Sequence, residues 1–336
     1  MVSISLCMIV KNEESILGRC LDGFIKLVDE IVIVDTGSTD RTKAIASLYT
    51  KNIYDFEWGD DFAEARNFAF SKCTKDYILS VDADEVIDYE NKEKFKILKE
   101  ALLPEIDIVQ MIYTNQLYLN TTYNFDEELR PKLYKRVRSF FWEDPIHESV
   151  RLSPVIYDSD IKIKHMPEGA HQSRDFAIFK KLTSDGSVLS NKLHKMYARE
   201  LFISGSDEDF IDAMEYFKTA MDRDSDRDMI LMDSAVCTKA ARLSDDKDLM
   251  LKAVSRGLAC ENPPSEIVFE LGEYYRSKRD YHEAVMWYYN AAFETESLLN
   301  RKYHDSFPFI GLHISFVILG DIENAAKYAA LAKERG

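Results

Sequence analysis

The stretch from Tyr77 to Asp88, YILSVDADEVID, ends an apolar run in four carboxylates, Asp82, Asp84, Glu85 and Asp88. Residues i and i+2 of an extended chain point the same way, so Asp82 and Asp84 would share a face. Two carboxylates held together repel, and each is hard to keep ionised without a cation. Bound Mg²⁺ or Mn²⁺, which favours carboxylate oxygen, removes that cost and can bridge to substrate phosphates. The plainer alternative is a solvated turn with capping aspartates. A calcium loop of the EF-hand type is excluded, because Val86 occupies its third ligand position and Ile87 replaces its glycine.

The elements that must position these carboxylates are legible on either side. ISLCMIV (4–10), EIVIVD (30–35), NIYDFEW (52–58) and DYILSVD (76–82) read as strands. EESILGRCLDGF (13–24), TDRTKAIASLY (39–49) and DDFAEARNFAFSK (60–72) read as the helices between them. Strands alternating with helices over short connections predict βαβ units and a mostly parallel sheet. Beyond Asp88 the stretches 107–119, 130–137 and 159–166 read as longer, partly antiparallel strands. In such a sheet ligands bind beyond the carboxyl ends of the strands, where Asp82 and Asp84 would stand. DADEV also spells the DxDx[TV] motif of aspartyl phosphatases, with Asp82 as nucleophile and Asp84 as acid/base. There the motif normally follows the first strand, whereas three βα units precede it here.

SLCMIVKNEE, IVIVDTGSTDRT, DFAEARN and DYILSVDADE occur in the order and spacing of family 2 glycosyltransferases of the GT-A fold, which the first half resembles. The resemblance implies a UDP-sugar donor, Mn²⁺ or Mg²⁺, and donor contacts from Lys11, Glu13, Asp35, Arg66, Asn67 and Asp82. It places Asp84 on the metal, together with His165, although the Gly-Tyr that usually follows such a histidine is replaced by Met166 and Pro167. His171 lies close enough to substitute. Locally, Asp35 ends a strand where its carboxylate can accept from uracil or ribose, and Gly37 permits a tight turn. Asp61 and Glu64 form a capping box. An inverting enzyme needs a general base for the acceptor, and WEDPIHESV offers Glu148 first, then His147, with Asp144 third. LRPKLYKRVRSFFWED brings Arg130, Lys132, Arg136 and Trp142 together; this could hold the diphosphate, stack a sugar, or be an amphipathic strand pair.

From about residue 174 the rhythm is purely helical. LGEYYRSKRDYHEAVMWYYNAAF carries the tetratricopeptide (TPR) pattern, with looser copies at 209–221 and 312–332. We therefore expect an α/β GT-A domain over 1–170 and an all-α TPR-like domain over 171–336. TPR arrays commonly hold extended peptides. The expected partners are a nucleotide sugar and a peptide or protein acceptor, with a surface glycan or lipopolysaccharide core as the alternative. The array would otherwise pair two chains into a homodimer, or act as a scaffold without chemistry. The formal net charge of −16, from 59 acidic and 43 basic residues, excludes general nucleic-acid binding. Five scattered cysteines without CxxC spacing, no membrane-length apolar run and no basic leader predict a cytoplasmic protein without a transmembrane segment.

Overall fold

Strand β1 (Ile4–Val10) alternates its side chains between two cores, which is why it reads as continuously apolar. Ile4, Leu6, Met8 and Val10 face one cluster, and Cys7 faces the other. Helix α1 (Leu17–Phe24) covers the first face with Leu17, Cys20, Leu21 and Phe24. On the other, Ala69, Phe70 and the following Cys73 close the core under helix α3 (Phe62–Lys72). Burying each of these large side chains contributes about 1.5–3 kcal/mol, so covering both faces anchors the strand at the sheet centre.

The computed structural model describes residues 1–114, 127–138, 142–143, 149–150, 154–166, 172–184 and 186–335. The chain divides into two compact units, and the helical one takes up at Gln172. In the first, β2 (Glu30–Asp35), β3 (Asn52–Asp55) and β4 (Tyr77–Ser80) extend the sheet in parallel around β1. A two-residue strand, β5 (Glu85–Val86), precedes helix α4 (Tyr89–Ala101). The later strands are β6 (Ile108–Thr114), β7 (Glu127–Lys135) and β10 (Ile156–His165). The sheet order is β3-β2-β1-β4-β7-β6-β10-β5, and β7 runs antiparallel to both its neighbours. A separate hairpin pairs β8 (Trp142–Glu143) with β9 (Ser149–Val150). The sheet is mixed, with a Rossmann-like parallel half formed by β1 to β4. The chain leaves β1 toward β2 on one side and β4 on the other, so the carboxyl ends of β1, β2 and β4 flank a topological switch point.

The expected helices shorten where loops have other duties. Helix α2 is only Thr42–Ala46, and α1 begins at Leu17 rather than residue 13. The segment 12–14 is engaged instead with 38–42. Asn12 accepts from Thr39 N–H (2.8 Å), Thr42 Oγ1 accepts from Glu13 N–H (2.7 Å), and Glu14 accepts from Arg41 N–H (2.9 Å). These bonds satisfy backbone donors that a longer helix would otherwise take up.

The second unit is a run of paired helices. It contains α5 (Gln172–Thr183), α6 (Asn191–Ser204), α7 (Asp207–Arg223), α8 (Arg227–Leu243) and α9 (Lys247–Leu258). These are followed by α10 (Ser265–Ser277), α11 (Tyr281–Phe293), the single turn α12 (Lys302–Asp305), α13 (Phe307–Leu319) and α14 (Ile322–Arg335). The residues carrying the repeat pattern are its core: Phe210, Ala213, Phe217, Ala284, Tyr288, Ala291 and Leu312 are fully buried. Gly272 and Gly311 let two helices close on the Tyr288 ring, for a Cβ at either would come within 2.6 Å of it. No helix among the described residues is long and apolar enough to cross a membrane.

Candidate active site

Strand β4 is buried throughout, and at its end the chain breaks into a tight turn. Glu85 N–H donates to the Asp82 carbonyl (3.1 Å), and Asp82 N–H donates back to the Glu85 carboxylate (3.3 Å). Within this turn the three acidic side chains separate by environment. The Asp82 side chain is 53% exposed. Partial burial would raise its carboxyl, but the cations of Lys132, Arg66 and Arg130 hold it below the usual carboxylate range. Glu85 is fully buried against Lys132. Burial, with Asp82 and Asp84 nearby, pushes it up to about 7 despite the Lys132 ammonium. Asp88, the fourth acid of the run, caps α4 by accepting from Asn91 N–H (3.1 Å) and pairs with Lys164.

Asp84 is mostly buried, and its Oδ2 lies 3.0 Å from His165 Nε2 at the end of β10. Register brings them together: β5 runs antiparallel to β10 with His165 opposite Glu85, and Met166 N–H donates to the Asp84 carbonyl (2.8 Å). Asp84 Oδ1 is buried with no hydrogen-bond partner. A carboxylate oxygen without a partner, with an imidazole beside it, could hold a divalent cation, which would satisfy the bare oxygen. The residues therefore fit a dication. Tyr113 packs on the His165 ring at 5.3 Å between centroids, and the Arg130 guanidinium lies 4.1 Å over Tyr113.

Arg66, on α3, hydrogen-bonds Ser80 Oγ (2.6 Å) and reaches within 4.0 Å of Asp82. Its neighbour Asn67 is half-buried on the same helix. The N-cap of α3 is Asp61, which accepts from Glu64 N–H (3.0 Å). Asp35, ending β2, is fully buried; its Oδ1 accepts from Gly37 N–H (3.0 Å) and Ser38 N–H (2.8 Å). That turn needs Gly37 at φ +98°. Asp35 Oδ2 has no partner, and Lys43, bonded to Asp55, approaches Oδ1 at 3.8 Å. A buried acceptor left bare in this way is costly unless a ligand donates to it. Lys11 is exposed just past β1, and Glu13 is half-buried two residues on.

The structure thus gathers Arg66, Asp82, Asp84 and His165 into one cluster. Asp35 sits at the end of β2, which β1 separates from β4, and Lys11 and Glu13 follow β1 while Asn67 is on α3. Glu148, His147, Asp144 and His171 lie outside the described residues. The roles of Glu85 and Lys43 were not read from sequence. Glu85 stood in the acidic run, but its burial depends on Lys132, 47 residues away. Lys132 itself points at Glu85 rather than standing free in a basic loop. A second group, His194, Asp224 and Asp233 in the helical unit, is close enough to hold a metal. His194 bonds both Tyr216 (2.8 Å) and Asp233 (2.7 Å), and Asp224 pairs with Arg223, while Asp233 Oδ2 is buried without a hydrogen-bond partner.

The family model described as Glycosyl transferase family 2 matches residues 5–151. A TPR repeat-containing protein of Synechococcus elongatus is 48% identical over 85 residues, 25% of this chain and 21% of that one. The lipopolysaccharide core biosynthesis glycosyltransferase LpsC of Rhizobium meliloti is 30% identical over 156 residues, 44% of this chain and 56% of that one. The SPbeta prophage-derived glycosyltransferase SunS of Bacillus subtilis is 26% identical over 233 residues, 63% of this chain and 52% of that one. The matched stretches span from about a fifth to just over half of these curated relatives.

Proposed function

We propose that the family 2 glycosyltransferase domain over residues 5–151 performs metal-dependent, inverting transfer of a sugar from a UDP-sugar to a peptide or protein side chain. The observation that carries this reading is the pair of bare, buried carboxylate oxygens, Asp35 Oδ2 at the end of β2 and Asp84 Oδ1 in the turn after β4. The first asks for a hydrogen-bond donor such as the uracil imide N–H. The second, beside His165, asks for a cation.

Asp35, with Lys11 and Glu13 on the neighbouring loop, would hold the nucleoside, and Asp82 the ribose. Arg66 and Asn67 on α3 would face the diphosphate, where the Arg66 charge offsets negative charge that builds on the leaving group. Asp84 and His165 would hold Mn²⁺ or Mg²⁺, which supplies Lewis-acid stabilisation of that same charge. Glu148 would take the proton of the acceptor hydroxyl or thiol as it attacks the anomeric carbon from the face opposite the nucleotide, with His147 or Asp144 as substitutes. The helical repeats would engage the acceptor chain.

Mixing the protein with Mn²⁺ and a panel of nucleotide sugars, then measuring free UDP, tests the reaction; the absence of both turnover and UDP binding would overturn it. A second acceptor reading, a lipopolysaccharide core, is favoured by the likeness to LpsC. Supplying peptide and truncated core acceptors side by side separates the two. Phosphate release from a chromogenic phosphoester, lost in Asp82→Asn, would instead indicate an aspartyl phosphatase. UDP-sugar binding with no product from lysate acceptors would indicate a scaffold.

A further inference from the structure

The sheet carries an irregularity beside the acidic turn. Where β6 pairs with β7, Leu133 stands opposite Val109 and Pro131 opposite Gln110, so Lys132 is an extra residue without a partner. Such a bulge bends the strand and re-aims a side chain. The pairing of β4 with β7 ends at Leu79 opposite Leu133, so Lys132 lies level with the point where β4 gives way to the turn of Asp82–Glu85. Its side chain is only 9% exposed, and its ammonium meets the fully buried Glu85 carboxylate. The other oxygen of Glu85 accepts from Asp82 N–H, while the Glu85 amide closes on the Asp82 carbonyl. Glu85 therefore ties both ends of the turn whose middle displays Asp84, and Lys132 pins Glu85 in place.

We propose that Lys132 and Glu85 are positioning residues that set the site's affinity for its dication and nucleoside diphosphate, by holding Asp84 and Asp82 apart in a fixed turn. This rests on the donor site described above and adds how that site is built. Neither residue needs to touch the ligand. With Lys132 absent, the buried Glu85 carboxylate would lose the partner that pins it, and its tie to Asp82 N–H across the turn would loosen. Once metal and donor saturate the site, the reacting atoms stand where they did before, so the defect belongs in binding rather than in the chemical step.

The test compares wild type, Lys132→Met, Glu85→Gln and the double variant. Calorimetry of UDP with Mn²⁺ is read alongside steady-state turnover at varied Mn²⁺ and donor. In Lys132→Met the half-saturating Mn²⁺ concentration and the UDP dissociation constant should each rise at least tenfold. Turnover at saturation should fall less than threefold. The double variant, which leaves no unpaired charge, should recover most of that loss. Glu85→Gln keeps the side chain's shape and carries the reading if Lys132→Met does not fold. Single variants that bind Mn²⁺ and UDP within twofold of wild type would overturn the proposal, as would a loss of saturated turnover with an unchanged Mn²⁺ requirement. Wild type that shows no metal-dependent UDP binding would overturn the donor-site reading itself.

Discussion

Replacing Asp84 by asparagine separates a ligand's role from a packing role. The side chain keeps its size, and its amide oxygen can still accept from His165 Nε2–H across the 3.0 Å contact. What disappears is one negative charge, including the orphaned Oδ1. A unit charge pair about 4 Å apart at an effective dielectric of 20 is worth roughly 4 kcal/mol, and the dication's own desolvation offsets part of that. Loss of a residue that merely orients a metal ligand costs about 10- to 100-fold in affinity. Asp84→Asn should therefore weaken Mn²⁺-dependent UDP binding by at least ~10²-fold. In metal-free protein the outcome has the other sign. Asp84 stands between Asp82 and the buried Glu85, so removing its charge relieves repulsion, and the thermal midpoint should hold or rise slightly. Calorimetry of UDP with and without Mn²⁺, together with thermal unfolding in chelator, reads both. UDP binding within threefold of wild type, or a fall in the chelated midpoint, would refute the reasoning.

Further outcomes follow from other groups. Asp35→Asn presents an N–H₂ where the bare acceptor stood, so UDP affinity should drop at least tenfold, about 1.4 kcal/mol or more, in a fluorescence titration. Glu148→Gln should leave UDP binding intact and slow transfer by roughly 10²-fold or more; near-normal turnover moves the role to His147 or Asp144. Tyr288→Ala should cost the helical unit about 3–5 kcal/mol in denaturant unfolding, since this fully buried ring fills the gap between Gly272 and Gly311. Burial, reinforced by Asp175, pushes Glu200 up to about 7. Its folded-state pKa is raised, so its contribution is most favourable below pH ~4.5 and is lost as pH climbs toward 7. Glu200→Gln should accordingly match wild type near pH 4 and exceed it by on the order of 1–3 kcal/mol above pH 7 in urea titrations.

The sequence by itself determined the alternating strands and helices, the helical repeats, and the placing of Asp35, Asp82 and Asp84 at strand ends. Those are local properties: apolar runs of strand length, capping residues such as Asp61, and a period that changes from sheet to helix near residue 172. Only the tertiary structure decided which acid does what. Asp88 is a helix cap, Glu85 is a buried partner of Lys132, and Asp84 alone combines burial with an unpaired oxygen beside His165. His165 and Lys132 lie 81 and 47 residues from the carboxylates they meet, and a strand register and a bulge bring them there. Burial and charge pairing depend on what the folded chain brings close, so four carboxylates equivalent in the written sequence acquire different surroundings and different work.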